Sequence, residues 1–322
     1  MEIKSALITG VTGQDGAYLA KLLIEKDYRV IGTSRDMQIA SFSLLDKLNI
    51  YSGVIKESMN PGDFRSVVTV LSRHKPDEIY HLAGQSSVGL SFTQPAVTMD
   101  SIIQGSLNLI EAVRLLNFEA KIYNAASSEM FGNIPVGSAC EETPLKPCSP
   151  YGVAKAASYM QFSCYRKAYD MFLCTGILFN HESPLRPARF VTRKIIRAAC
   201  DIYRGGDSRL ILGNLNIVRD WGWAPEYVEA MHLMLQQDHP SDFVIATGKG
   251  HRLEEFLDIT FRLLGFNWRD YVSIDHNLFR PLDLERSVGK PDKALECLGW
   301  SSKVELTQII EQMIAYELST DS

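Results

Sequence analysis

The sequence is short of every feature that marks a membrane, secreted or nucleic-acid-binding chain. Its apolar runs stop well below the ~20 residues that span a bilayer, so no membrane-crossing helix is expected. No positively charged leader precedes a signal-type apolar segment, and residues 3–8 read as a strand running straight into glycines. Positive charge is lacking too: 33 Lys and Arg against 38 Asp and Glu leave a net charge of −5. That balance does not suit a dedicated nucleic-acid binder. The six cysteines, at 140, 148, 164, 174, 200 and 297, form no C-x-x-C pair and no zinc-ligand spacing with histidine. They read as reduced, mostly buried apolar residues, without a disulfide framework or metal site. Repeats and low-complexity tracts are absent. A cytoplasmic enzyme is the resulting expectation.

What is present is a globular composition: 322 residues, 46 % hydrophobic and 22 % charged. The N-terminal half alternates short apolar runs with amphipathic stretches. Strands are expected at 5–9, 28–33, 78–83 and 120–126, and helices at 16–25, 64–73 and 101–116. That alternation predicts an α/β fold of Rossmann type, a doubly wound parallel sheet with helices on both faces. A long helix at 151–169 and a strand at 172–179 follow. Beyond them lie loops rich in Arg, Asn, Gly and Trp, with shorter helices at 227–236 and 252–264. We expect residues 1–175 to be mainly a nucleotide-binding domain. Residues 176–322 should be mainly a smaller substrate-binding lobe, interleaved with the last sheet strands.

Gly10-Val11-Thr12-Gly13-Gln14-Asp15-Gly16 sits between the first strand and the first helix. Glycines there allow a tight turn and close approach of a pyrophosphate to backbone N–H groups at a helix start. The spacing is looser than G-x-G-x-x-G, and an ordinary strand–turn–helix junction is the bland alternative. The second strand ends Thr33-Ser34-Arg35-Asp36. A carboxylate at the strand tip would bond a ribose 2′-OH, whereas a basic residue suits a 2′-phosphate. Arg35 therefore favours NADP, although Asp36 can neutralise it. The small residues of Leu82-Ala83-Gly84 allow a cofactor to lie across the end of another strand.

Tyr151 and Lys155 are i and i+4, on one face of the expected helix, behind Pro150 at its start. An ammonium beside a phenol favours the phenolate and lowers its pKa. Tyr151 could then take a proton from a substrate hydroxyl while hydride leaves the same carbon. Ser127, in Ser127-Ser128-Glu129, could share that proton. Glu129 is the discriminating residue. Oxidation of an alcohol needs no carboxylate, whereas elimination of water needs a group to remove a carbon-bound proton and pass it to a leaving hydroxyl.

These segments resemble the extended short-chain dehydrogenase/reductase family and, within it, the GDP-mannose 4,6-dehydratases. The similarity continues through Asn180-His181-Glu182-Ser183-Pro184, Phe190-Val191-Thr192-Arg193-Lys194, Leu212-Gly213-Asn214-Leu215, Arg219-Asp220-Trp221-Gly222 and Phe279-Arg280-Pro281. The resemblance implies catalysis by Ser127, Glu129, Tyr151 and Lys155. It implies an NADP site of Gly10, Thr12, Gly13, Gln14, Asp15, Gly16, Arg35, Leu82, Ala83 and Gly84 with Tyr151 and Lys155. For a GDP-linked sugar it points to Ser86, Ser128, Asn180, Val191, Lys194, Gly213, Asn214, Arg219, Arg280 and Asp283. Arg219 and Arg280 would meet the diphosphate.

The implied reaction is oxidation at C4, loss of water across C5 and C6, and hydride return to C6, by a homodimer or homotetramer. The chain departs from the family pattern at Ser127, where a threonine is usual, and at Asp36-Met37-Gln38, Glu57-Ser58-Met59-Asn60 and Leu185-Arg186-Pro187-Ala188-Arg189. The last of these leaves a GDP-linked heptose open beside the hexose. A sugar-nucleotide epimerase or reductase, and a non-catalytic NADP-binding protein, are the competing readings. The first predicts that Glu129 is dispensable. The second has no use for the Tyr151–Lys155 pair.

Overall fold

The computed structural model describes residues 3–320. Its central sheet is built from β1 (Ser5–Thr9), β2 (Arg29–Ser34), β3 (Val54–Ser58), β4 (Glu78–His81), β5 (Lys121–Ser127), β6 (Leu173–Leu178) and a seventh strand, Phe243–Ile245. Their order is seventh–β6–β5–β4–β1–β2–β3, and every neighbouring pair is parallel. Every residue of β1, β4, β6 and the seventh strand is buried, as expected of strands covered on both faces.

Helices Gln14–Glu25 and Ala224–Leu235 pack together on one face, where Leu19, Leu23, Ala230 and Met231 are fully buried. Helices Phe64–His74, Gly105–Leu116 and Pro150–Tyr169 cover the other, over Val67, Leu71, Leu109, Ile110 and Phe162. The expected helix at 101–116 is the end of a longer helical stretch that starts at Pro95 and passes through a π-helical turn at Asp100–Gln104. The strand expected at 78–83 stops at His81. Thr9 Oγ1 takes the amides of Leu82 and Ala83, both at 3.0 Å, and so turns the chain out of the sheet.

A second apolar core lies beyond β6. Helices Val191–Tyr203, Leu253–Leu263 and Leu306–Thr320 enclose Ile195, Phe256, Ile310 and Met313. The first and last of these were not foreseen as helices. Short strand pairs connect this core to the sheet, among them Asn180–Glu182 beside Trp221–Trp223. Asp220, fully buried, secures the junction by accepting from the Thr247 amide (2.9 Å) and hydroxyl (2.7 Å) and the Gly248 (3.0 Å) and Gly289 (3.2 Å) amides.

The cysteines correct one expectation. All are free thiols, but only Cys174 and Cys200 are buried, while Cys164 and Cys297 are exposed on helices Pro150–Tyr169 and Asp292–Leu298. Outer helix faces tolerate a small side chain as readily as the core does. Among the described residues no helix is long and apolar enough to cross a membrane, and no cluster of His, Cys, Asp and Glu is disposed to hold a metal.

Candidate active site

A cavity of about 420 Å³ opens along the C-terminal ends of β4, β5 and β6. Parallel strands place their outgoing loops on this one edge, where α/β proteins bind ligands. Ser127 is the last residue of β5, and Glu129 lies in the single 3₁₀ turn Ser128–Phe131 that follows. The Ser127 hydroxyl accepts the Glu129 amide at 3.3 Å and so fixes that turn. Tyr151 and Lys155 project from the first turns of helix Pro150–Tyr169, capped by the Ser149 hydroxyl on the Gly152 amide at 3.0 Å. Gly152 is what lets helix and turn meet, because a Cβ there would stand 2.7 Å from the Glu129 carbonyl oxygen. All four candidate catalytic residues line the cavity.

Their electrostatics differ from the simple expectation for a phenol beside an ammonium. Burial pushes the Tyr151 phenol up to about 12, opposed in part by the Ser127 hydroxyl. Burial draws Lys155 down to about 8. Its ammonium donates to the Ala125 carbonyl at 2.6 Å and stands 5.8 Å from the Tyr151 ring centre. Desolvation here outweighs the Ser127 hydrogen bond and the Arg186 charge that draw the phenol down. Burial also raises the Glu129 carboxyl, with the Arg219 and Arg280 guanidiniums pulling the other way. A carboxyl held above its ordinary range is better matched to moving protons near neutral pH.

The glycine motif borders the cavity. Gly10, Thr12 and Gly13 form the turn after β1, while Gln14, Asp15 and Gly16 open helix Gln14–Glu25. Gly10 has φ +76°, and its backbone lies so close to Ala83 that a Cβ would come within 3.1 Å. The helix N-cap is Gly13, with no capping side chain over the first-turn amides. Those amides, the adjoining turn at Leu82, Ala83 and Gly84, and exposed Arg35 just past β2 fit the phosphates and ribose of a dinucleotide. Asp36 does not neutralise Arg35 through an ion pair: its carboxylate accepts the Gln38 amide at 2.8 Å, and no Arg35–Asp36 pair occurs among the described residues. Only Asp15, Leu82, Tyr151 and Lys155 of the expected cofactor set reach the cavity itself.

Every residue of the expected substrate set lines the cavity: Ser86, Ser128, Asn180, Val191, Lys194, Gly213, Asn214, Arg219, Arg280 and Asp283. Arg219 and Arg280 converge on one Asp283 carboxylate oxygen, at 3.0 and 3.2 Å. Arg219 also donates to the Leu284 carbonyl at 2.8 Å. Asp283 thus orients both guanidiniums.

The family profile described as "GDP-mannose 4,6 dehydratase" matches residues 7–313. The chain belongs to the GDP-mannose 4,6-dehydratase family. GDP-mannose 4,6 dehydratase 2 of Arabidopsis thaliana is 45 % identical over 328 residues, covering 98 % of this chain and 87 % of that protein. GDP-mannose 4,6-dehydratase of Vibrio cholerae is 38 % identical, covering 99 % and 94 %. Among solved structures, UDP-glucose 4-epimerase of Thermus thermophilus in complex with NAD superposes with a TM-score of 0.85 at 25 % identity, covering 98 % of this chain and 99 % of that one.

Sequence reasoning took only Asn180 from the family segment Asn180-His181-Glu182-Ser183-Pro184, yet the neighbours of Asn180 tie the site together. His181 Nε2 meets Asp15 Oδ2 at 2.9 Å, and its Nδ1 meets the Phe179 carbonyl at 2.8 Å. Both partners are acceptors only, so both ring nitrogens must donate and the imidazole is cationic. The ring stacks on Tyr227 at 4.6 Å. Gln14 accepts from the Ser183 hydroxyl at 2.7 Å and donates to Asp15 at 3.0 Å. Glu182 is likewise occupied, by the Thr192 hydroxyl at 2.7 Å and Arg186 at 3.3 Å. The glycine loop is therefore stitched to the strand that carries Asn180.

Burial alone would depress His181, but the Asp15 carboxylate more than reverses this and raises it. For Asp15, burial is overcome mainly by His181, which brings the carboxyl down to about 2. A raised histidine contributes stability that is complete below its unfolded value of about 6.5 and is lost as pH rises through its folded value. His181→Gln should therefore melt below the wild type by a margin that is largest below about pH 6.5 and narrows as pH rises from there through the folded value. Melting temperatures of both proteins across that range test this, and a pH-independent margin would refute the cationic pair.

Proposed function

We propose that this chain converts GDP-mannose to GDP-4-keto-6-deoxymannose, with Ser127, Glu129, Tyr151 and Lys155 as its reacting groups. The observation that carries the reading is Glu129. It is a carboxyl raised by burial, and it shares the cavity with a serine, tyrosine and lysine that suffice for alcohol oxidation alone. Family membership supports the same substrate.

A nicotinamide dinucleotide bound along the glycine loop supplies the hydride acceptor and donor. Tyr151 takes the C4 hydroxyl proton, shared with Ser127, as the C4 hydride departs and a ketone forms. Lys155 favours the phenolate that this step requires. The ketone acidifies the C5 proton, which Glu129 removes. Glu129 then gives that proton to the C6 hydroxyl, the C6–O bond breaks, and water leaves. Return of the hydride to C6, with a proton from solvent reaching C5 and the proton on Tyr151 released to solvent, would give the 4-keto-6-deoxysugar with no net oxidation. Asp283 presents Arg219 and Arg280 as a paired fork to the diphosphate. Residues 1–175 serve mainly the cofactor, and residues 176–322 mainly the sugar nucleotide.

NADP is the cofactor favoured by Arg35, whose charge is not answered by Asp36. A homodimer is the assembly favoured by the outer sides of the helices after β4 and β5, where Val97, Leu115, Val153 and Met160 are exposed.

Incubation with GDP-mannose and catalytic NADP⁺ should give a product lighter by one water with no net NADPH, read by mass spectrometry. Glu129→Gln should retain cofactor yet lose the dehydrated product; normal turnover in that variant would remove Glu129 from the mechanism. Arg35→Ala should weaken NADP⁺ by about tenfold and leave NAD⁺ binding little changed, the scale of one charged contact to phosphate. Equal loss for both cofactors in a binding titration would overturn the NADP assignment. Light scattering should report a mass at least double the 36.1 kDa of the chain, and a monomer would refute the assembly.

A further inference from the structure

We propose that Arg189 is a specificity residue that reads hydroxyl groups of the sugar at the Tyr151 end of the cavity. The inference rests on the GDP-mannose reading above and assigns a residue of the same site.

Three observations converge on Arg189. The first is its position. It stands just before helix Val191–Tyr203 and lines the cavity, and its Nη2 donates to the Ser86 hydroxyl at 3.2 Å. The bond joins the entry of that helix to the loop leaving β4. Two residues beyond Ser86, Val88 packs against the cluster of Ile102, Tyr151 and Ala154. The contact therefore lies on the side of the cavity where Tyr151 would meet the sugar.

The second is its partner. Every other arginine facing the cavity is held by a carboxylate. Arg186 pairs with Glu182 at 3.3 Å and lies 3.8 Å over the Phe190 ring, and Arg219 and Arg280 share Asp283. Among the described residues Arg189 has no carboxylate partner. Its bond is to a neutral hydroxyl, and both side chains are accessible to water. Exchanging one hydroxyl acceptor for another costs little, because the same kind of hydrogen bond is broken and made.

The third is the geometry of the group. A guanidinium offers a planar fork of N–H donors that meets two neighbouring oxygens at once. A hexose presents such oxygens as vicinal hydroxyls. Ser86 thus serves as the resting acceptor, and the sugar takes its place on the fork. Arg189 shares no partner with the Arg219–Asp283–Arg280 clamp and is tied instead to the loop leaving β4, so its contribution belongs to the sugar rather than to GDP.

The test uses the holoenzyme and the variants Arg189→Ala and Arg189→Lys. Expected for Arg189→Ala is a KM for GDP-mannose raised about tenfold, the factor carried by one charged hydrogen bond, with the inhibition constant of GDP within about twofold of wild type. Arg189→Lys keeps the charge without the fork and should fall between the two. An unchanged KM in the alanine variant would overturn the proposal, and so would GDP weakening in step with GDP-mannose, the pattern of a phosphate contact. Wild type that binds GDP but leaves GDP-mannose unreacted would count against the reaction. Arg189 is then judged by calorimetry, from whether Arg189→Ala removes affinity for GDP-mannose beyond that for GDP.

Discussion

Everything at the cavity depends on seven strands running in one direction. Parallel pairing obliges each strand to return through a helix on one face or the other, and it delivers every outgoing loop to the same edge. The glycine turn after β1, the Leu82–Gly84 turn after β4, the Ser127–Glu129 turn after β5 and the Asn180 segment after β6 are neighbours for that reason alone. Thr9 sits at the centre of this convergence. Its hydroxyl accepts two amides from the turn after β4, which leaves its proton for His81 Nδ1 at 3.0 Å. His81 is held neutral, its pKa drawn down to about 3 by burial and by Lys155. One side chain thereby sets where two of the loops stand relative to each other.

The cavity is built from opposed charges. Asp15 faces His181, Glu182 faces Arg186, and Asp283 faces Arg219 and Arg280. Pairing of this kind offsets the desolvation that buried charges incur and fixes the direction in which each side chain points. The other polar groups lining the cavity stand outside these ion pairs, and they are the ones free to answer a ligand. Glu129 and Tyr151 are among them, both displaced upward by burial.

Much of this was legible in the chain because the signals are local. A strand running into Gly10–Gly16, and a tyrosine four residues before a lysine behind Ser149-Pro150, each carry their structural meaning within a few residues. The elements that escaped are those defined by distant partners. The seventh strand has three residues, too few to show a period, and is a strand only because β6 offers it an edge. Helix Val191–Tyr203 was visible as a motif but not as a helix, since Phe190 at its N-cap offers no capping side chain. The pairing of His181 with Asp15 spans most of the nucleotide-binding half, and no spacing rule anticipates it. The upward shift of Tyr151 follows from burial, which adjacency to Lys155 does not reveal. Gly152 escaped for the opposite reason. It lies inside the Tyr151–Lys155 motif, but its role appears only once the Glu129 turn is seen against it.

The late arrival of the seventh strand has a consequence for how the protein is made. Chains emerge from the ribosome N-terminus first, and domains tend to fold as they emerge. Here the first six strands can pair in order, yet β6 keeps an open flank until Phe243–Ile245 has been synthesised. Between those two events the ribosome must thread out the Asn180 segment, helix Val191–Tyr203 and the Trp221–Trp223 strand. A nascent chain stalled in that interval would carry an unpaired edge on a strand meant to be wholly buried, beside an unfinished cavity, which makes it a natural client for chaperones and a poor point at which to truncate the protein.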